Sequence, residues 1–103
     1  MPEACEHNGH IFYIRVKNKE YRNRLLDFLH QNGVMAAFHY VPLHNSTAGK
    51  KYGRFHGIDE VTTKASESLI RLPLYYGMDK ADKEKVVGAV DDWLHLQRKA
   101  GLI

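Results

Sequence analysis

The segment Phe38-His39-Tyr40-Val41-Pro42-Leu43-His44 gathers two imidazoles and a phenol where an apolar stretch meets a proline. Such groups exchange hydrogen bonds with the hydroxyls or phosphate oxygens of a ligand, and strand ends that run into loops commonly present them. His39, Tyr40 and His44 are therefore candidate binding residues. Spacing by itself favours a plainer role, in which a strand-end histidine bonds backbone and a tyrosine packs on a rim. Lys50, Lys51 and Arg54 follow in a stretch punctuated by Gly49, Gly53 and Gly57. Glycines let backbone N–H groups approach a phosphate, and the guanidinium fork matches its oxygens. The same composition also describes a solvated basic loop.

The net charge of +3 is unevenly spread. Residues 1–58 hold eight Lys and Arg against four Asp and Glu, residues 59–103 hold seven against eight, and residues 39–58 contain no carboxylate. That local field suits an anion and falls short of the basic, aromatic-studded stripe of a nucleic-acid binder. Around zinc, His39, His44 and His56, or His7 and His10, lack the cysteine pair or nearby carboxylate that completes a tetrahedral set. Cys5 is the lone cysteine, which excludes an internal disulfide and fits a reducing compartment. No run nears the roughly 18 apolar residues of a membrane span, and residues 1–9 lack the basic-then-apolar order of a signal peptide. The expectation is a cytoplasmic chain with no membrane and no nucleic-acid partner.

These groups need a scaffold, and 103 residues with 44% hydrophobic content allow one domain and one core. Alternation from His10 to Val16 predicts a strand. Tyr21, Leu25, Phe28 and Leu29 form the stripe of a helix from about Lys19 to Asn32, stopped by Gly33. Val34 to Tyr40 is a second strand. Residues 43–60 read as a long, mobile loop. Thr62 or Thr63 caps a short helix through Arg71, and Leu72 to Tyr76 is a third strand with one tyrosine turned inward. Asp79 caps a last helix that buries Val86, Val90, Trp93 and Leu94. The class is α+β: a small sheet of about three strands, the third inserted antiparallel between the first two, with three helices packed on it.

Leu72-Pro73-Leu74-Tyr75-Tyr76-Gly77, taken with the Phe38–His44 and Gly53-Arg54-Phe55-His56-Gly57 motifs, closely resembles the C-terminal small domain of the DegT/DnrJ-type sugar aminotransferases. The match runs from about His10 to Trp93, and the three motifs together look like one branch. The resemblance implies an aspartate-aminotransferase-type (fold type I) enzyme, pyridoxal phosphate as cofactor and a homodimer. That branch moves an amino group from glutamate to a dTDP-4-keto-6-deoxyhexose for bacterial surface polysaccharide. In such enzymes the lysine and most cofactor contacts belong to a large domain, to which nothing here corresponds, and the small domain closes over the cleft. The implied division is a flexible tail over 1–9 and the small domain over 10–103.

By the same resemblance, His39, Tyr40, His44 and Arg54 help shape the nucleotide-sugar pocket. No residue of this chain is expected to be catalytic, cofactor-binding or metal-binding. None of the nine lysines sits in the apolar setting that a Schiff base needs, so the chain by itself is expected to bind no pyridoxal phosphate and to be inactive. The competing reading is a stand-alone α+β binding module for an anionic metabolite or a protein partner.

Overall fold

In the computed structural model, which describes residues 1–102, the three strands are β1 (Phe12–Arg15), β2 (Ala37–Phe38) and β3 (Leu69–Leu72). They lie in the order β1-β3-β2, with β3 antiparallel to both neighbours. β1 and β2 therefore run the same way, joined across α1 (Lys19–Gln31), as a split β-α-β unit requires. Ile70 stands opposite Ile14 on one side and Phe38 on the other.

Local chemistry sets the ends of α1. Asn18 accepts the Tyr21 N–H at 2.9 Å and opens the helix. At the far end Gly33 takes φ 72°, with its N–H on the His30 carbonyl and the Val34 N–H on the Leu29 carbonyl. This Schellman turn needs a residue without a Cβ at the left-handed position. It drops Val34 straight into the core. Helix α4 (Lys80–Lys99) opens on Asp79, whose carboxylate accepts the Asp82 N–H at 2.8 Å.

Leu25, Leu29 and Ile70 are fully buried, and Leu26, Val34, Ala36, Leu72, Ala89 and Trp93 complete the core between the sheet and the two long helices. Trp93 meets Tyr21 edge-on at 5.8 Å and Phe28 at 5.4 Å, separations at which aromatic pairs attract beyond simple burial. Val86, Val90 and Leu94 pack half-buried beside it.

Several boundaries differ from the sequence expectation. The third strand is Leu69–Leu72, not Leu72–Tyr76. A central strand must donate to both neighbours, and Pro73 has no N–H to give, so pairing stops before it. Tyr75 and Tyr76 are consequently both exposed, neither turned inward. The Tyr75 hydroxyl instead bonds the Asp82 carboxylate, which pushes the phenol's pKa up. The short helix, α3 (Thr62–Ser68), ends earlier than Arg71 because β3 begins at Leu69, and Val61 rather than a threonine precedes it, its own side chain making no cap bond. The second strand shrinks to two residues, since the Ala36 N–H bonds back to the Val34 carbonyl in a tight turn that interrupts the extended run.

Residues 43–60 are not a structureless loop. A 3-10 turn (Leu43–Asn45) leads into α2 (Thr47–Tyr52), so the described residues hold four α-helices rather than three. The segment stands away from the core, and the radius of gyration is 16.2 Å, against about 13 Å for a compact domain of this length.

Candidate functional site

Ser46 builds the projecting segment. Its Oγ donates to the Leu43 carbonyl at 2.6 Å and accepts the Gly49 N–H at 2.9 Å, closing the turn and capping the helix with one hydroxyl. Gly49 is required there, because a Cβ would collide with the Leu43 carbonyl. The Gly53 N–H in turn bonds the Gly49 carbonyl at 3.0 Å. These two glycines therefore give their N–H groups to the helix. The phosphate cradle that their positions suggest is not formed at either, which is a correction to the sequence reading.

The fold that results brings His44 and Arg54 into one groove of about 480 Å³, lined also by Leu43, Ala48, Tyr52 and Phe55. The Phe55 ring lies 4.2 Å from the His44 imidazole, tilted 38°. Lys50 and Lys51 occupy the last turn of α2, exposed, with the Lys51 ammonium 5.0 Å over the Tyr52 ring.

His39 and Tyr40 are elsewhere. They line a second groove of about 380 Å³ with Pro42, Val61, Ala65 and Leu69. Their rings lie 3.8 Å apart, the Ser66 hydroxyl bonds the Tyr40 carbonyl, and the His39 Nδ1 is buried with no partner among the described residues. The four residues predicted to share a site thus fall into two pairs.

Sequence reasoning missed the residue that anchors His44. Asp59 lies one position beyond the carboxylate-free stretch, and the chain folds it back onto His44, where Oδ2 meets Nε2 at 2.6 Å. The Thr63 hydroxyl bonds the same oxygen, and the Thr63 N–H reaches Oδ1 at 3.2 Å. Asn45 closes the set by donating to the Thr63 hydroxyl at 2.8 Å. The Thr63 hydroxyl, His44 and the Thr63 N–H hold the Asp59 carboxyl down at about 2, so it stays ionised through the neutral range. Its charge offsets part of the positive field read from residues 39–58. The first carboxylate after a basic, histidine-bearing stretch, four residues before a threonine, was the available signal. Among the described residues, no three of His, Cys, Asp and Glu converge as a metal set would.

The family model described as the DegT/DnrJ/EryC1/StrS aminotransferase family matches residues 1–91. The chain belongs to this family. Its fold agrees with the crystal structure of an aminotransferase, TlmJ, from Streptoalloteichus hindustanus, at a TM-score of 0.79 and 24% sequence identity. That alignment covers 95% of this chain and 25% of TlmJ, so the chain spans about a quarter of the matched protein. DegT/DnrJ/EryC1/StrS aminotransferases generally depend on pyridoxal phosphate. Every lysine of this member is exposed. None has the apolar surroundings that imine formation needs, so these residues do not fit the cofactor's covalent anchor. No helix among the described residues is long and apolar enough to cross a membrane.

Proposed function

We propose that this chain supplies the small-domain wall of the substrate cleft in a sugar-nucleotide aminotransferase, residues 10–103 forming that domain behind the tail of residues 1–9. The reading extends to the branch named for dTDP-4-amino-4,6-dideoxygalactose transaminase, which passes an amino group from glutamate to a dTDP-4-keto-6-deoxyhexose. The product would enter bacterial lipopolysaccharide or enterobacterial common antigen, and the enzyme would work in the cytoplasm as a homodimer. Pyridoxal phosphate, which supplies the electron sink of the transamination, would be held by a large domain. This chain's residues bind and orient the nucleotide sugar and shield the cleft from water.

The observation that carries the reading is the meeting of His44 and Arg54 in one groove with two aromatic rings. A guanidinium fork takes phosphate oxygens, an imidazole takes a sugar hydroxyl, and the faces of Tyr52 and Phe55 suit a base or a sugar ring. Family membership provides the chemistry that such a ligand would serve.

The test is a titration of the chain with dTDP, dTDP-glucose and pyridoxal phosphate, followed by backbone amide shifts. Shifts centred on Leu43–Phe55 with both dTDP compounds are expected, and Arg54→Ala should weaken them about tenfold, the value of one charge-assisted hydrogen-bonded contact. Silence toward the dTDP compounds, or shifts confined to the sheet, would contradict the proposal.

A further inference from the structure

We infer that Asp59 is a positioning residue that holds His44 in its Nε2–H tautomer, leaving Nδ1 to accept a hydrogen bond from a ligand hydroxyl in the groove. The inference rests on the functional reading above and adds to it the residue and the atom that select a hydroxyl-bearing ligand.

An ionised carboxylate only accepts hydrogen bonds, so the ring nitrogen 2.6 Å from Asp59 Oδ2 must carry a proton. In a neutral imidazole the other nitrogen is then a bare acceptor. Asp59 cannot easily turn away, because Thr63 binds both of its oxygens. The direction of that chain is fixed as well. Asn45 donates to the Thr63 hydroxyl, which therefore spends its own proton on Asp59. Phe55 lies against the imidazole ring, and His44 and Asp59 are only 18% and 20% exposed. The carboxylate's depressed pKa keeps this arrangement ionised at neutral pH.

The consequence lies in the groove. Arg54 offers donors and no acceptor, and apart from the Tyr52 hydroxyl the other side chains lining it are apolar or glycine. A phosphorylated sugar brings both needs: oxygens that require donors and hydroxyls that require an acceptor. Arg54 meets the first and His44 Nδ1 the second. Without Asp59 the imidazole could protonate at either nitrogen, and the part of its neutral population protonated at Nδ1 would present a donor to a donor.

The experiment records long-range proton–nitrogen spectra of the His44 ring and dissociation constants for dTDP-glucose. The wild-type chain, Asp59→Ala and Asp59→Asn are compared. The wild type should show a protonated Nε2 and an unprotonated Nδ1 that shifts when ligand is added. Asp59→Ala should mix the tautomers and raise the dissociation constant by the reciprocal of the fraction left in the Nε2–H form, about twofold for an even mixture. Asp59→Asn, whose carbonyl still accepts from Nε2–H, should restore the tautomer and most of the affinity, which a loss of fold would not do. A wild-type ring protonated at Nδ1 overturns the inference. Wild-type binding matched by Asp59→Ala overturns it too, while leaving the functional reading intact. A wild type with the expected tautomer that ignores dTDP-glucose overturns both.

Discussion

The sheet with its two long helices and the segment from His39 to Thr63 are held by different forces. In the first, Leu25, Leu29 and Ile70 are sealed from water and Trp93 sits among aromatic neighbours. In the second, large apolar side chains stay in solvent, with Leu43 and Tyr52 each 79% exposed and Ile58 83%. The segment is organised by polar contacts: the Ser46 hydroxyl on both ends of its turn, and Asp59 tying His44 to Thr63. Apolar burial resists change in pH and ligand, whereas a short polar network is sensitive to both. The chain thus pairs a scaffold with a surface that gains stability when something covers it.

The contrast can be attacked at its strongest point first. Leu29→Ala removes a side chain with no exposure at all and should cost about 2–5 kcal/mol in chemical denaturation. The His44 and Phe55 resonances should stay in place as long as the domain is folded. If they moved together with the core, the two regions would be one cooperative unit.

Gly49→Ala should do the reverse. The added Cβ meets the Leu43 carbonyl, so the segment must open, at about 1–3 kcal/mol for an overpacked site. Amide shifts should spread over residues 43–55 and spare β1 and β3. A native spectrum in that stretch would mean that α2 does not pack on the turn as described.

Acid should separate the regions more gently. Asp59 has its folded pKa lowered from 3.8 to about 2. Its contribution is therefore complete above 3.8 and fades as the pH falls through that window toward 2. The His44–Phe55 contacts should loosen between those values, while near-ultraviolet signals from Trp93 persist. A tryptophan change preceding the histidine change would reverse the proposed order.

What the sequence disclosed divides along the same line. α1, its Gly33 stop, α4 with its Asp79 cap and the strand order were legible because caps and apolar periods are local signals. The end of β3 was not, since the objection to Pro73 arises only once the strand is known to be central. α2 was hidden by Gly49 within it and Gly53 at its end, which lower helix propensity behind a good Ser46 cap. The candidate site was half legible. His44 and Arg54 were candidates by residue type and became binding residues only through the family resemblance; the fold places both along one groove. His39 and Tyr40 stand apart from it, because the chain turns between Tyr40 and Leu43. Asp59 escaped notice because its role depends on a contact across 15 residues that no local pattern encodes.

The most direct measurement is amide hydrogen exchange of the chain with and without dTDP-glucose. Strong protection of β3 and α1 in both conditions, with residues 43–55 gaining protection only in the presence of ligand, is the predicted result. Ligand-dependent protection on the sheet, or full protection of residues 43–55 without ligand, would contradict the division into scaffold and binding surface.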